Sequence, residues 1–313
     1  MKRVTVLIAL LTTGALSFGV AAFQQAPGGG AQPAPRVITV EKLKDNLFVL
    51  KGGGGNTAVF VGTNGVVVVD TKNPGWGQLI LDKIKELTNK PVTRIINTHT
   101  HGDHVSGNVE FPATVDIVVQ ENTKTRMETM APVTGFAARA GGPPPNIFKE
   151  NNGKGMPKRT FKDKMTLDKG ADQIDLYYFG RGHTDGDAWV VFPALRVMHA
   201  ADMVSGKNIP LLDANNGGSG LLIADSIEKA TKTVKNVDIV ITGHDGQLTM
   251  ADLKEYVQFN RDFADAMREA KKAGKSVDEV AASYKIPAKY MGYAEPQPAR
   301  LKANVQVLYD ELR

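Results

Sequence analysis

The sequence predicts a layered sandwich of β-strands and α-helices, of the α/β or α+β class, and two observations carry this prediction. Between about residues 46 and 243, short apolar runs typical of strands alternate with segments whose apolar residues recur at helical spacing, without a repeat of fixed period. From residue 251 to the C-terminus the pattern is almost wholly helical. We therefore expect a mixed sandwich over residues 37–250 and a C-terminal helical extension over residues 251–313.

The N-terminus has the layout of an export signal. Two basic residues precede an uncharged apolar run at residues 4–20, and small residues follow it. We expect residues 1–22 to be a cleaved signal peptide and residues 23–36, rich in Gly, Pro and Gln, to be a flexible tether. The mature protein would then be periplasmic or secreted, without stable membrane association. The alternative is an uncleaved anchor, for which the apolar run is of marginal length.

Composition limits the partners and the chemistry. The formal net charge is +5 and falls to +3 without residues 1–22, because that segment holds two basic residues and no acidic one. So small an excess predicts no nucleic-acid partner and no anionic membrane surface, and we expect a small-molecule substrate. The chain has no cysteine, so a metal site would have to use His, Asp or Glu.

The first half of the predicted sandwich begins with strands. Its predicted elements, in order, are strands at residues 46–50, 56–62 and 65–70, a helix at 75–90 and a strand at 92–98. A glycine run at residues 52–55 separates the first two strands, and the Asn64-Gly65 pair marks a hairpin turn before the third.

Residues 121–164 differ from the rest because they are rich in Met, Lys, Gly and Pro and show weak periodicity in their second half. A long loop inside a compact domain is usually functional or mobile. Two interpretations stay open for this segment: a lid over a functional site, or an insertion without fixed structure.

The second half returns to strands. Its predicted elements are strands at residues 174–180, 188–200 and 237–243, with a helix at 224–236 before the last strand. Neither half contains a P-loop or a dinucleotide-binding glycine pattern, and the glycine run at residues 52–55 lacks their spacing.

Four of the predicted strands end in side chains that can bind a metal. The strand at residues 92–98 runs into the stretch INTHTHGDHVSGN, which holds three of the six histidines of the chain. The ligand candidates that follow the four strands are His99, His101, Asp103 and His104, then His183, then Asp202, then His244. Because ligand sites gather at strand ends in layered folds, we expect these side chains to share one rim.

The spacing of these residues predicts two ions rather than one. His99 and His101 alternate, so in an extended loop both face the same way and can bind one ion. Asp103 and His104 lie on the following turn and would point elsewhere. Neutral imidazole and carboxylate oxygens are ligands of zinc, and two metals about 3.5–4 Å apart could use the whole set.

Four further polar residues have a structural interpretation beside a functional one. His199 lies within a strand and is expected to be structural or to support the ligands. Asp185 and Asp187 lie in a glycine-rich loop with turn chemistry, where they would shape the turn or contact the ligands. Asp70 would either fix the loop that carries the histidines by hydrogen bonding or cap a strand.

Two features stand as candidates for substrate contacts. Tyr290, Met291 and Tyr293 would line a pocket, or else pack the C-terminal helices onto the sandwich. Lys207 would meet an anionic substrate near the metals, or else remain a solvated surface lysine.

The ordered set of motifs resembles the metallo-β-lactamase superfamily. The signature H-x-H-x-D-H stands at residues 99–104, a Gly-His-Thr motif at 182–184, an Asp at 202 and a Gly-His pair at 243–244. The resemblance covers about residues 37–250 and is specific because the motifs occur together and in order. It implies an α+β fold, a four-layer αββα sandwich of two similar halves with a dinuclear metal site along one edge.

The resemblance also implies a set of metal ligands. Those of the first zinc ion would be His99, His101 and His183, those of the second Asp103, His104 and His244, and the residue that bridges both Asp202. Two Zn²⁺ ions per chain are expected, and iron is the alternative metal. Asp103 would also orient the nucleophile, which makes it the catalytic residue.

The activity that the resemblance implies is hydrolysis by a metal-bridging hydroxide, which would cleave an acyl C–N, C–O or C–S bond, with β-lactam opening as one case. The chain departs from the family at Asp185, where Pro is frequent, so the shape of that loop is in doubt. It also lacks the cysteine that many zinc β-lactamases use on the second metal. The remaining His/Asp set resembles both a histidine-using subclass of β-lactamases and the glyoxalase II-like or lactonase-like hydrolases, and Asp202 as a bridge favours the latter.

Three alternatives to a β-lactamase stay open. The first is a lactonase or thioesterase of the glyoxalase II type. The second is an iron-dependent enzyme similar to the sulfur dioxygenases, since the ligands for one iron are present. The third is an exported, non-enzymatic accessory protein that keeps the metal site.

Overall fold

Two β-sheets lie face to face in the structure, a computed structural model that describes residues 35–135 and 145–312. The predicted signal peptide at residues 1–22 lies outside the described residues, as does nearly all of the predicted tether at 23–36. No helix within the two described ranges is long and apolar enough to cross a membrane.

The first sheet has seven strands in the order of the sequence. They are β1 (Thr39–Lys44), β2 (Leu47–Lys51), β3 (Thr57–Val61), β4 (Val66–Val69), β5 (Val92–Ile96), β6 (Asp116–Gln120) and β7 (Arg159–Phe161). The pairs from β1 to β4 are antiparallel, and the pairs from β4 to β7 are parallel. The carboxyl end of β5, which leads into the histidine stretch, therefore lies inside the sheet between two parallel neighbours.

The second sheet has five strands in the order β12-β11-β10-β9-β8. They are β8 (Lys164–Leu167), β9 (Ile174–Tyr178), β10 (Ala188–Phe192), β11 (Val197–Ala201) and β12 (Ile239–Thr242). Strands β9 and β11 both pair antiparallel with β10, and β12 is parallel to β11. The carboxyl ends of β9, β11 and β12 therefore share one edge of the sheet.

Helices cover the outer faces of both sheets. They are α1 (Gly77–Leu87), α2 (Gly102–Val105), α3 (Glu121–Thr129), α4 (Ile147–Glu150), α5 (Ile223–Thr233), α6 (Met250–Lys272), α7 (Val277–Ser283) and α8 (Pro298–Glu311). On the first sheet, Ile80 and Ile84 of α1 pack onto Val66 and Val68. On the second, α5, α6 and α8 bury a larger cluster around Trp189.

A third apolar cluster fills the space between the sheets. It joins Val67 and Val69 of β4 to Leu176 and Val190 of the second sheet. Alternation of side chains along each strand sends every second residue to this inner face. The order of layers is therefore helix, sheet, sheet, helix, and the predicted α+β sandwich with a helical extension is confirmed.

The range 121–164, predicted as a long loop, contains regular structure at both ends. Helices α3 and α4 anchor it, because Met127 and Phe148 are buried against Val105 of α2. The range then supplies β7 and the first residue of β8. Residues 136–144 lie outside the described residues, so a lid role for this segment stays a prediction.

The C-terminal extension is less continuous than its pattern suggested, because residues 284–297 form no helix between α7 and α8. Within this stretch Tyr290 and Tyr293 pack on Phe259 of α6, with ring centroids 4.9 and 4.5 Å apart. Met291 is 80% exposed. The packing interpretation is therefore correct for both tyrosines, and the pocket interpretation finds no support.

Candidate metal centre

The histidine stretch changes backbone conformation in the middle. His99 lies in a bend three residues after the end of β5, and His101 has extended backbone just before the first turn of α2. Asp103 and His104 then fall inside that turn, where His104 N donates to His101 O at 2.9 Å. The change from extended chain to helix separates the two pairs of side chains, as their spacing predicted.

The structure brings all seven predicted ligands together in two adjacent groups. One consists of His99, His101, His183 and Asp202, and the other of Asp103, His104 and His244, and the ligand atoms within each group lie within 4.8 Å of one another. In the first group His101 Nδ1 is 3.1 Å from His183 Nε2. In the second, His244 Nε2 is 3.4 Å from His104 Nε2 and 3.3 Å from Asp103 Oδ2.

Asp202 lies between the two groups. Its Oδ1 is 3.3 Å from His104 Nε2, and its Oδ2 is 3.2 Å from His244 Nε2 and 3.8 Å from His183 Nε2. Two backbone features place it there. The preceding Ala201 has φ +45°, an uncommon value for a residue with a side chain. Gly243 leaves the necessary space, because a Cβ on it would lie 1.8 Å from Asp202 Oδ1.

The outward nitrogens of three histidines are held by acceptors. His101 Nε2 lies 2.7 Å from Asp213 Oδ2, His104 Nδ1 lies 2.7 Å from Asp70 Oδ2, and His183 Nδ1 lies 2.6 Å from Leu211 O. Because an acceptor requires a proton on the nitrogen that faces it, the inward nitrogen of each neutral ring carries a lone pair. This is the arrangement that orients imidazoles toward a metal.

His99 provides a direct test of whether a metal fits. Thr98 Oγ1 donates to Asp70 Oδ2 at 2.7 Å and so is an acceptor for His99 Nδ1, 3.0 Å away. The opposite nitrogen, His99 Nε2, is buried and has no hydrogen-bond partner among the described residues. A buried nitrogen left without a partner costs free energy unless something binds it. The donor set and this unpaired nitrogen fit a cation such as zinc.

Asp70 organises the loop beneath the centre. Besides its contacts to Thr98 Oγ1 and His104, its Oδ1 accepts a hydrogen bond from Thr98 N at 2.8 Å. Asp70 itself has φ +63° at the end of β4 and is fully buried. It thus fixes the histidine loop by hydrogen bonding, the first of the two roles expected for it.

The electrostatics of the centre separate the two groups. Burial, with a smaller contribution from the neighbouring histidines, lowers the pKa of His99 well below its ordinary value and that of His183 to about 3. Burial also disfavours the charged form of His104, but Asp202, Asp103 and Asp70 outweigh it and raise its pKa well above the usual value. The carboxylates therefore draw positive charge to His104, and a metal that binds there must displace a proton.

The carboxylate of Asp202 stays ionised for the matching reason. Burial acts to raise its pKa, but His244 and His104 outweigh that effect and hold the pKa well below the usual range. Burial likewise opposes ionisation of Asp103, while His104 and His244 lower its pKa. Both carboxylates are thus available as anionic ligands near neutral pH.

Four other singled-out residues serve the surrounding structure. His199 Nε2 contacts Asn56 O at 3.2 Å while its Nδ1 accepts from Ala201 N, so it is structural, as expected. Asp187 accepts hydrogen bonds from Thr184, and Asp185 pairs with Arg126. Lys207 is engaged by Asp252 at 2.7 Å, so its expected contact with a substrate anion has no support. Of these four residues, His199 lies in strand β11, Asp185 and Asp187 lie in the loop of the Gly-His-Thr motif, and Lys207 lies in the loop after β11.

Asp213 is the main residue that the sequence did not reveal. It is fully buried, and besides His101 it accepts hydrogen bonds from Thr134 N and Thr134 Oγ1 at 3.0 and 2.9 Å. Burial opposes its ionisation, but the contacts with His101 lower its pKa strongly. Asp213 follows no strand and belongs to no motif, so the only signal in the sequence was an acid in an otherwise apolar and glycine-rich stretch.

Comparison with known proteins gives one consistent result. Residues 50–244 match the family model of the metallo-beta-lactamase superfamily. A curated relative, the metallo-beta-lactamase type 2 of Elizabethkingia meningoseptica, is 27% identical over 245 residues, which cover 71% of this chain and 87% of the relative.

Solved structures agree with this at the level of the fold. The metallo-beta-lactamase from Pontibacter korlensis has a TM-score of 0.57 at 19% identity and covers 72% of this chain and 99% of its own. The sec-alkylsulfatase Pisa1 from Pseudomonas sp. has a TM-score of 0.64 at 15% identity and covers 88% of this chain and 50% of its own. At such identities these likenesses speak for the architecture alone.

Proposed function

The chain belongs to the metallo-beta-lactamase superfamily, and on that premise we propose that it is an exported, zinc-dependent hydrolase that cleaves an acyl C–N, C–O or C–S bond in a small molecule. The observation that carries the proposal is the position of Asp202 between two groups of inward-facing ligands. A non-enzymatic protein has no need for so complete a set around one spot. β-Lactams are the first substrates to test, because the curated relative is named a β-lactamase.

The residues divide the work between two positions. We assign His99, His101 and His183 to one zinc ion and Asp103, His104 and His244 to the other, with Asp202 between them. When bound, the two ions would lower the pKa of a water molecule toward neutrality and polarise the bond to be cleaved.

Asp103 is the residue of this set that we assign to catalysis. Its side chain is 24% exposed and that of His244 is 28% exposed, while those of His104, His183 and Asp202 are at most 4% exposed. The opening of the centre therefore lies at Asp103 and His244. From there the Asp103 carboxylate can accept a hydrogen bond from the attacking water and orient it.

A lactonase or thioesterase of the glyoxalase II type is the second candidate. The contact of Asp202 with histidines of both groups favours it, since a bridging Asp is the feature by which the chain resembles those hydrolases. An iron-dependent redox enzyme would use the first group alone, and it would leave the second group without a role.

The test combines metal analysis with a substrate panel. We expect the purified mature protein to hold two zinc ions per chain and to turn over at least one member of a panel of β-lactams, lactones and thioesters. Chelation should abolish that turnover and added zinc should restore it. The variant His183→Ala should lose close to one metal equivalent, and wild-type metal content in it would show that the first group is assigned wrongly.

Two other outcomes would replace the proposal. One iron per chain with oxygen consumption would identify the redox alternative, and two zinc ions without turnover of the whole panel would favour a non-enzymatic protein. Export is tested separately by sequencing the N-terminus of the mature protein, which we expect to begin after residue 22.

A further inference from the structure

Arg300 extends from the C-terminal helix α8 toward the metal centre. Its Nε donates to Pro210 O at 3.1 Å, and its Nη2 donates to Ser205 Oγ at 3.1 Å. Ser205 O in turn accepts a hydrogen bond from His244 N at 3.2 Å. Ser205 alone therefore separates Arg300 from His244, a ligand candidate at the opening of the centre. The charge of Arg300 also interacts with Asp202.

Arg300 lacks the partner that an arginine in its position normally has. It is partly buried, yet within residues 35–135 and 145–312 it forms no ion pair, and its Nη1 makes no hydrogen bond. The other partly buried arginines of the sandwich are paired, Arg94 with Asp116 and Asp168, and Arg126 with Asp185. A desolvated guanidinium without an anion is costly, and it keeps a donor edge free for one.

Tyr256 supplies a second unpaired polar group beside Arg300. It is 1% exposed, its hydroxyl has no hydrogen-bond partner among the described residues, and it interacts electrostatically with both Arg300 and Asp202. Asn260 lies near this hydroxyl but does not meet hydrogen-bond geometry with it. Lys207 cannot take the place of Arg300, because Asp252 and Glu255 already surround its ammonium group at 2.7 and 3.6 Å.

We propose that Arg300 is a specificity-determining residue that binds an anionic oxygen group of the substrate, a carboxylate or a sulfate, beside the opening of the metal centre. This inference rests on the proposed hydrolase function and names the class of substrate. A guanidinium matches the planar pair of oxygens in such groups and can bind two of them at once. Anchoring that group next to Asp202 and His244 would hold the rest of the substrate over the centre.

The test compares Arg300→Gln, which removes the charge, with Arg300→Lys, which keeps it. The matched control is Asn304→Ala on the same helix, because Asn304 also anchors the segment after β11, through Pro210 O at 2.5 Å and Leu212 N at 3.2 Å. Binding of two non-reactive probes, succinate and sulfate, is measured by calorimetry on metal-free full-length protein. Turnover is measured on a substrate with a free carboxylate and on its methyl ester.

We expect Arg300→Gln to weaken probe binding and to raise the KM of the anionic substrate about 10- to 100-fold, with little change for the ester. Arg300→Lys should retain part of the binding, and Asn304→Ala should stay within about threefold of the wild type. The probe whose binding weakens more in Arg300→Gln, succinate or sulfate, identifies the preferred anion as a carboxylate or a sulfate.

Two outcomes would overturn the inference. Equal losses of probe binding in Arg300→Gln and Asn304→Ala would show that Arg300 only anchors the segment after β11. A normal KM for both substrates in Arg300→Gln would show that no anion binds there. Probe binding that depends on Arg300 without turnover of any substrate would instead support this inference and count against the hydrolase function, so the two failures are distinguishable.

Discussion

Replacing Asp70 by Asn tests whether the acceptors behind the histidines set the metal affinity. Asp70 accepts three hydrogen bonds within 2.8 Å, from Thr98 N, Thr98 Oγ1 and His104 Nδ1. An amide has one oxygen, so in either orientation its NH₂ group meets at least one buried donor. Lost bonds to a charged acceptor cost roughly 1.5–3 kcal/mol each, so the metal-free variant should lose roughly 2–5 kcal/mol of stability.

The effect on metal binding is the more specific one. If the amide turns its NH₂ group toward His104, nothing holds the proton on His104 Nδ1, and the proton can move to Nε2, the nitrogen that faces the centre. If it turns its oxygen there, the acceptor is neutral and holds that proton more weakly. Loss of such an outer partner typically costs 10- to 100-fold in metal affinity. We therefore expect the second zinc ion to bind Asp70→Asn about 10- to 100-fold more weakly, measured by competition with a chromophoric chelator.

Asp187→Asn is the matched control. Asp187 is also buried and accepts hydrogen bonds from Thr184 N and Thr184 Oγ1 at 2.8 and 2.7 Å, but no hydrogen bond or ion pair joins it to a histidine within the described residues. Burial raises its pKa to about 7, so a neutral amide should be tolerated better there. If the two variants lost equal zinc affinity, or if Asp70→Asn bound both ions as tightly as the wild type, the role assigned to Asp70 would be refuted.

Two further predictions concern residues around the glycine run at 52–55. Burial lowers the pKa of Lys72 to about 7, against an ordinary 10.5, so between pH 7 and pH 10.5 the unfolded chain binds more protons than the folded chain. The free energy of unfolding should therefore rise by roughly 3–5 kcal/mol as the pH is raised through this range. The same amount should be lost as the pH falls back toward 7. Urea unfolding across pH 7–10 measures this dependence of stability on pH, which should vanish in Lys72→Met. It should persist in the control Lys90→Met, because Lys90 also donates to a carbonyl but is exposed. A pH dependence kept in both variants would contradict the role assigned to Lys72. Gly55→Ala should lower zinc affinity at least tenfold, because the added Cβ would lie 2.1 Å from the His104 ring. Gly246→Ala, which has open space around it, should leave zinc affinity unchanged. Equal zinc affinities in the two variants would show that the loop moves to accommodate the added methyl group.

The sequence predicted that the candidate ligands lie together because strand ends are marked by strong local patterns. Strands β5, β9, β11 and β12 are four or five residues long and rich in apolar residues, and each is followed within five residues by a side chain that can bind a metal, namely His99, His183, Asp202 and His244. Parallel direction then brings three of these ends to one edge of the second sheet. The pattern therefore contained both the candidate ligands and the reason why they meet.

Four strands were not predicted, β1, β6, β7 and β8, and three of them show where such patterns fail. β7 and β8 are three and four residues long and include exposed polar positions, as in KMTL, where only Leu167 is buried. β1 is an edge strand with no buried residue. These elements are held by pairing with a neighbouring strand rather than by their own composition, so their residues alone carry little strand signal.

The acceptors behind the histidines were beyond sequence reasoning for a related reason. Asp213 lies 112 positions from His101, and His183 is held by a backbone carbonyl, that of Leu211, which any residue could provide. The sequence signal for Asp70 is its position at the end of a strand. A ligand must be a particular residue type, whereas its support can be any acceptor that the fold brings within reach.

Hydrogen bonds of the loop around Gly55 and Asn56 explain why the two halves of the sandwich act as one unit at this edge. Asn56, next to the glycine run, donates from its backbone to Gly243 O at 2.6 Å and from its side chain to Thr242 O at 3.0 Å. Gly55 N donates to Asp103 O at 3.0 Å, so this one loop contacts the turns that carry Asp103 and His244. Each ligand group thus takes members from both halves, and the loop fixes their separation. A bound metal and the docking of the halves should therefore stabilise one another, since a shift between the sheets would separate Asp202 from His104, which come from different halves.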